Sequence, residues 1–496
     1  MNRNRRFSAI LALVLIVAML ASFAGCGKVD PKKEVRSAAI AAMADLAKVH
    51  DQFNYEQINK MTLSEACHQD MELYLKEANV GEDLSAFYGT GLTFNAESNI
   101  PDRKMAVDMG LRLADYTALT MNMYYVDSGM YFACKELLGD HLLGVNTETL
   151  AEDMPGAGLD ESFNFNIFDI IDEHVSEDGS FELSASTMKA LLDAYNTLAD
   201  ASAWGTADDK EITAGSESGK CTVYTVTIPA EAGVDFIVSV ARALASDDYV
   251  SILLQSALAA EMGGDEDYDA YIDELMTELE TNLREALTED LTVEFYVKDK
   301  LLRGFAFTLN VEDSSADIAV QLGMGKNLAD YMGVSVDFGE GRKAELVSAG
   351  SHVLADGAFK DTTVFALSED GEEFVSVKAD TDYDTKSGDY TVEVYAEADG
   401  EGVELSAAGN LKIDGKTLNM SFDTITLDVM GMNITLAGSY NVSEGSGVEI
   451  DTSDAEMLPS MSEDELNAIG DEVAQNGYML LMNLMSQVPD IMNLFM

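Results

Sequence analysis

Apolar and polar side chains alternate along much of this chain, with the period of two residues that is typical of β-strands. The alternation runs from about residue 71 to residue 125 and returns between residues 291 and 450, and residues that favour turns interrupt it. No proline occurs between Pro229 and Pro459, as strands inside a sheet require, because proline cannot donate a ladder hydrogen bond. The pattern predicts two antiparallel meanders, each with one apolar and one polar face.

The second meander contains one break in its alternation, between Phe422 and Ile425. One extra residue in a strand moves all later side chains to the opposite face. We therefore predict a β-bulge near Asp423 and Thr424.

A period of about 3.6 residues predicts helices before, between and after the meanders. The first covers about residues 32–48, with Val35, Ala39, Met43 and Leu46 on one face. Between the meanders we predict helices at about residues 183–198, 232–261 and 265–287 and one strand at Cys221–Ile228.

Local sequence also predicts how these helices begin. Ser184 or Ser186 is expected to cap the first helix between the meanders. The acidic residues at 265–269 fit the first turn of a helix better than a calcium site, because they complement its dipole. A capping box at Ser462–Glu465 begins the last helix. The second half of that helix, residues 478–485, is apolar nearly all round, which predicts burial against a sheet, with lipid contact as the alternative.

Together these elements predict an α+β protein with a large curved antiparallel β-meander sheet, or two of them, packed against several α-helices. An N-terminal tether helix precedes the strands and a C-terminal helix follows them. Whether the meanders form one sheet or two domains stays open. The predicted segments are a signal peptide (1–25), an anchor and N-terminal helix (26–50), a first meander (51–155), a helical insertion with one strand (156–290), a second meander (291–455) and a C-terminal helix (456–496).

The first residues have the layout of a secretory signal. Arginines without acids precede an apolar run at residues 9–24, which is short for a membrane span and ends in small residues. The residues Phe23-Ala24-Gly25-Cys26 resemble the lipobox of bacterial lipoproteins, although that family usually has leucine where this chain has Phe23. Ser22-Phe23-Ala24 could instead serve ordinary signal peptidase.

The lipobox resemblance implies cleavage before Cys26 and a diacylglycerol group on its sulfur. The mature chain would then be extracytoplasmic and anchored to the bacterial cell membrane by its N-terminal lipid. Lys28, Lys32, Lys33 and Arg36 lie just after the anchor, where they would favour an anionic membrane surface. A solvated helix face is the equal alternative, because acidic residues are interspersed.

Composition then narrows the class of protein. The chain has a formal net charge of −59 but is 47% hydrophobic, which excludes a disordered acidic chain and predicts a folded protein with an acidic exterior. Such a negative field repels phosphate backbones, so no nucleic-acid partner is expected.

The remaining cysteines are Cys67, Cys134 and Cys221, an odd number without CxxC spacing. They allow one disulfide and indicate no metal site. We expect each to serve as a small buried side chain.

Catalytic motifs are missing from the sequence. Residues 380–384 begin like a calcium loop, but the continuation predicts a hairpin turn. Ser186 and Lys189 have SxxK spacing without the partner motifs of penicillin-recognising enzymes, and a single Trp204 argues against a sugar-stacking cleft. We therefore expect no enzyme activity, no cofactor and no metal. The five histidines lack paired ligand spacing: His50, His68, His141, His174 and His352.

The order of elements resembles that of lipoprotein-carrier proteins and similar lipid-binding lipoproteins, over roughly residues 30 to 455. Their half-barrel sheet wraps helices, and the resemblance implies an apolar space between them that holds acyl chains. The leading hypothesis is a membrane-anchored lipoprotein that binds a lipid or other apolar ligand between a concave sheet and helices. The alternative is a surface structural or interaction lipoprotein with a fully packed core. The oligomeric state stays open. A transporter-linked solute-binding protein ranks third. That class alternates strands with helices in parallel-sheet units, whereas the strands predicted here come in hairpin runs.

Overall fold

The structure is a computed structural model that describes residues 30–487. Residues 54, 82, 115, 155–163, 165, 176–182, 248–249, 252–253, 255–267, 312–313, 353–356 and 399–400 are outside this description. The predicted signal peptide, Cys26 and the acidic run at 265–267 therefore lie outside the described residues.

Twenty strands in the described part of the chain form one curved, unclosed sheet. They are β1 (Ala66–Asn79), β2 (Gly91–Asn99), β3 (Lys104–Leu113), β4 (Tyr116–Val126), β5 (Gly129–Ala133), β6 (Leu143–Asn146), β7 (Ala203–Ala214), β8 (Glu217–Ile228), β9 (Leu291–Lys298), β10 (Leu301–Val311), β11 (Ser314–Leu322), β12 (Tyr331–Asp337), β13 (Arg342–Ser351), β14 (Ala358–Glu369), β15 (Glu372–Asp384), β16 (Asp389–Ala398), β17 (Glu401–Asp414), β18 (Thr417–Val429), β19 (Met432–Glu444) and β20 (Glu456–Met457).

The described helices are α1 (Pro31–Asp51), α2 (Tyr55–Ser64), α3 (Lys135–Leu138), α4 (Leu150–Asp153), α5 (Ile167–His174), α6 (Ala185–Ala201), α7 (Ala230–Ala245), α8 (Tyr268–Ala286) and α9 (Glu463–Gln487). With the sheet they confirm the predicted α+β class, including its N-terminal and C-terminal helices.

The two predicted meanders are parts of a single sheet. Strands β7 to β19 pair in chain order, each antiparallel to the next. Strand β1 then pairs with β19, so the N-terminal strands β1–β6 continue the sheet beyond the C-terminal ones. Strand β20 adds a short parallel pairing to β6.

Several local predictions are confirmed. The pairing of β18 with β19 shifts register between Phe422 and Ile425, where the bulge was expected. The Ser184 hydroxyl accepts a hydrogen bond from the Thr187 amide at 3.2 Å and caps α6. The capping box is also present, because the Ser462 amide donates to Glu465 Oε2 at 2.8 Å and the Glu465 amide donates to Ser462 Oγ at 3.3 Å.

Helices cover one end of the sheet and form the main core there. Val35 of α1, Leu198 of α6, Phe236 of α7 and Leu283 of α8 pack with Phe295 of β9 in one buried cluster. Burial of these side chains stabilises this end, at roughly 1.5–3 kcal/mol for each large apolar residue.

Three expectations were wrong. The C-terminal helix α9 has no buried residue within Glu463–Gln487, because it lies on the surface against α3 and β4. The region between the meanders contains two described strands, since β7 precedes β8. On α1, Met43 points to solvent, while Ala38 and Ala42 take the buried positions with Val35 and Ala39.

Candidate functional site

The middle of the sheet carries exposed apolar side chains on the same face as the helix-covered core. We call this surface the open face: the apolar side of strands β13–β19 and β2–β4. Its exposed members are Leu92, Leu111, Met121, Leu346, Val403, Leu405, Leu427, Met432 and Ile434.

Strand register shows that core and open face share one side of the sheet. Residues directly opposite each other on paired strands point to the same face. Phe305, Val320, Val334 and Leu346 are opposite in turn from β10 to β13. Phe305 is 5% exposed and Leu346 is 40% exposed, so one row passes from the core to solvent.

A second row crosses the centre of the open face. Val394, Leu405, Leu427 and Ile434 are opposite in turn on β16 to β19. Leu405 and Leu427 are each 42% exposed and Ile434 is 41% exposed. With strands about 4.8 Å apart, the row makes a stripe of roughly 14 Å across the sheet. Contiguous exposed apolar surfaces are a feature of sites that bind proteins, membranes or ligands.

Two helices reach the borders of this surface. Helix α2 places Ile58 and Met61 against Leu418 and Val442, near one end of the strands. The far end of α9 places Leu484 and Met485 beside Phe87, Leu75 and Leu113, where β1 and β3 end. Between these borders, Leu405, Leu427 and Ile434 keep about two-fifths of their surface exposed.

A polar cluster lies on the same face, at the border with the covered end. Asp361 Oδ1 accepts hydrogen bonds from Ser348 Oγ at 2.6 Å and pairs with His352 Nε2 at 2.8 Å. Asp361 Oδ2 accepts from Thr363 Oγ1 at 2.7 Å. Burial alone would raise the pKa of Asp361, but the hydrogen bonds from Ser348, Thr363 and His352 outweigh burial and lower it.

This cluster does not have the hydrogen-bond order of a nucleophilic triad. In a triad the serine hydroxyl donates to the imidazole, which in turn donates to the carboxylate. Here Ser348 and His352 both contact the same oxygen of Asp361. Phe359 packs on the His352 ring at 5.0 Å and on Phe53, which follows α1. The cluster thus fixes the corner between α1 and α2 on β13 and β14.

The opposite face carries a different feature, a shallow depression of about 530 Å³ beside the β18 bulge. Its lining includes Glu72, Tyr74, Lys76 and Ser439, and Lys76 Nζ donates to the Asp423 carbonyl at 2.9 Å. These groups already have partners or face water, so the depression does not suit an apolar ligand.

The three described cysteines are free and buried, as expected of small core side chains, and no disulfide links them. Burial raises the pKa of Cys67 to about 11, so its thiol stays protonated and unreactive. Cys26, the predicted lipid-attachment residue, is outside the described residues and stays a prediction.

The other sequence candidates form no site. The amides of Lys386 and Ser387 both donate to Asp384 Oδ1, which makes the predicted hairpin turn at the calcium-like segment. Ser186 contacts Ser184, and Lys189 pairs with Asp193 on α6. Within the described ranges, no three His, Cys, Asp or Glu side chains are placed to hold a metal ion.

Sequence reasoning missed the polar cluster, because Ser348, His352 and Asp361 follow no motif spacing. The register of β13 and β14 alone brings them together. The sequence also did not indicate that the open face is exposed. Alternation shows which side of a strand is apolar, but it does not show whether another element covers that side. No helix in the part of the chain that the structure describes is long and apolar enough to cross a membrane.

Comparison with known proteins gives no family for this chain. No protein-family model matches it, and no curated protein matches it. Among solved structures, one match is a variant of the vaccine antigen transferrin binding protein B from Haemophilus parasuis. It is 8% identical, covers 76% of this chain and 75% of that chain, and has a TM-score of 0.10. A likeness that low carries no argument about the fold or the site of this chain.

Proposed function

We propose that this chain is a non-catalytic extracytoplasmic bacterial lipoprotein, held at the membrane through Cys26, that binds the apolar chain of a lipid on its open face. The observation that carries the proposal is the row from Phe305 to Leu346, which leaves the core and continues uncovered.

The chemistry of the open face favours an acyl chain. Its exposed members are aliphatic residues and methionines, and the flexible methionine side chains adapt to a flexible ligand. Each methylene group that leaves water on binding contributes about 0.8 kcal/mol when it is fully buried. A chain of many methylenes can therefore gain useful affinity from a surface without any charged contact.

The same observation disfavours the alternative of a structural lipoprotein with a fully packed core. A packed core would place helices over Leu405, Leu427 and Ile434, and these residues are exposed. Helices cover β8 to β11 instead.

The lipid-binding proposal is tested by native mass spectrometry of the full chain, purified mildly from bacterial membranes. We expect a non-covalent mass addition in the range of a lipid, which denaturation removes. Leu405→Asp combined with Leu427→Asp should abolish the addition, because burying unpaired carboxylates against an acyl chain is costly.

Tyr395→Asp is the matched control for this experiment. Tyr395 lies on β16 opposite Glu404, on the polar face. Its exposed fraction of 43% is close to the 42% of Leu405. Its variant should keep the bound lipid. A wild-type chain without added mass, or equal loss in both variants, would contradict the proposal.

The anchor is tested by counting thiols. The chain has four cysteines, three of which are the free Cys67, Cys134 and Cys221. If Cys26 carries diacylglycerol on its sulfur, the denatured mature chain should react with thiol reagent at only those other three positions. Reaction at Cys26 would contradict the proposed anchor but would not affect the proposal that the open face binds lipid.

A further inference from the structure

The C-terminal unit, β20 together with α9, lies on the outside of the sheet. Strand β20 pairs with β6 only at Glu456 and Met457. Helix α9 has no buried residue and lies on α3, where Asn476 Nδ2 donates to the Leu137 carbonyl at 3.0 Å.

His141 lies at the joint between this unit and the sheet, in the loop from α3 to β6. Its Nδ1 is 3.0 Å from Glu456 Oε1 on β20. Its Nε2 is 3.4 Å from Glu472 Oε2 on α9. One imidazole therefore faces carboxylates from both elements of the C-terminal unit, through both of its ring nitrogens.

Protonation decides whether both contacts are favourable. An imidazolium donates from both nitrogens, whereas neutral imidazole donates from one and presents a lone pair with the other. A lone pair facing a carboxylate oxygen is repulsive. We propose that His141 is a pH-dependent latch, which holds β20 and α9 on the sheet when it is protonated and loosens them when it is neutral.

The surrounding charges support the direction of this switch. From the elements packed against His141, the facing groups are Glu456 of β20 and Glu472 of α9. Asp140 is its chain neighbour, and Glu136 of α3 faces β4 instead, where its carboxylate accepts from the Thr120 amide. Lys135, the basic residue of α3, begins that helix.

The pKa of His141 is raised, first by its hydrogen bond with Glu456, against a smaller lowering by burial, with a further contribution from Glu472. A raised pKa means that the latch is fully closed below the ordinary pKa of 6.5 and opens as pH rises through the higher folded value.

Opening would change the open face, if the proposed lipid binding holds. The far end of α9 packs Leu484 and Met485 beside Leu75 and Leu113, which lie on the apolar side of β1 and β3. When the C-terminal unit loosens, this corner becomes available. The latch would therefore enlarge the lipid-binding surface at alkaline pH.

The latch is tested by hydrogen exchange on the full chain, with mass spectrometry of peptides from residues 456–487 at about pH 6 and about pH 9. Each rate is corrected for the pH dependence of intrinsic exchange. For the wild type we expect faster corrected exchange at the higher pH. The increase should be up to about tenfold for each unit by which folding raises the pKa of His141.

Three variants separate the latch from a purely structural histidine. His141→Gln cannot be charged, so its exchange should be fast at both pH values. His141→Arg keeps a cation with several donors and should be slow at both. His68→Gln removes another histidine near two carboxylates, Glu97 at 3.0 Å and Asp70 at 3.7 Å, and should keep the wild-type step.

Peptides from β9 to β11 report in each variant whether the chain is folded. No pH step in the wild type, or a step that survives in His141→Gln, would overturn the latch. Lipid loading is measured separately. Failure of the lipid proposal would therefore not affect the exchange result, and failure of the latch would not affect the lipid result.

Discussion

The two ends of one apolar surface differ in what covers them. On β8 to β11 the apolar side chains lie under α1, α6, α7 and α8, and residues such as Phe295 are fully buried. On β13 to β19 the same side of the same sheet carries residues that are about two-fifths exposed, such as Leu405. The alternation of the strands is the same in both regions.

This difference distinguishes the apolar residues that stabilise the fold from those that we propose bind a ligand. The covered end has the large buried cluster that folding requires. The open face keeps apolar side chains that stay about two-fifths exposed, so each contributes less to folding than a fully buried core residue. We infer that they are there for a ligand.

The largest expected effect compares two isoleucines on the same face. Ile318 of β11 is 1% exposed and Ile434 of β19 is 41% exposed. Ile318→Ala should lower the free energy of unfolding by about 2–5 kcal/mol, because it leaves a cavity in the core. Ile434→Ala should lower it by about 1 kcal/mol or less. Denaturant unfolding of both variants measures the difference, and equal losses would show that the open face is covered in solution.

A smaller effect is expected at the border between the two regions. Asp361→Asn weakens the hydrogen bonds from Ser348, His352 and Thr363 and should cost about 1–3 kcal/mol. Because the pKa of Asp361 is lowered in the fold, its contribution is present above the ordinary value of 3.8 and disappears as pH falls below it. The urea midpoints of unfolding, measured as a function of pH, should therefore become equal for variant and wild type at acidic pH. A constant gap at all pH values would contradict this role.

The smallest effect is expected for charges on exposed strand positions. Leu405→Asp and Tyr395→Asp should each change the free energy of unfolding by only about 0.5 kcal/mol, since neither side chain is buried. Their thermal midpoints should therefore be alike while their lipid binding differs. A much less stable Leu405→Asp would indicate a packing role for the open face.

The local features of this fold were predictable from sequence because neighbouring residues determine them. Alternation at Leu92, Phe94 and Ala96 gives a strand, and the lost phase after Phe422 gives a bulge, without knowledge of the partners. Strand β7 was missed because its middle residues, Asp208 to Glu211, are exposed and polar and follow no alternation.

Long-range features were not predictable in the same way. The joining of β1 to β19 pairs Met71 with Tyr440, and no local pattern indicates which of many strands β1 will meet. The apolar second half of α9 was expected to be buried, but Tyr478 is 66% exposed. Periodicity reports which residues are apolar, and burial depends on which surfaces the fold brings together. For the same reason the sequence pointed to an apolar sheet face but not to its uncovered part.

The most direct test of the open face is photocrosslinking with a lipid whose acyl chain carries a diazirine, followed by peptide mapping on the full chain. We expect crosslinks on β16 to β19 at the side of Leu405, Leu427 and Ile434, and excess unlabelled lipid should remove them. Crosslinks confined to the polar face around Tyr74 and Ser439, or none that unlabelled lipid competes for, would contradict it.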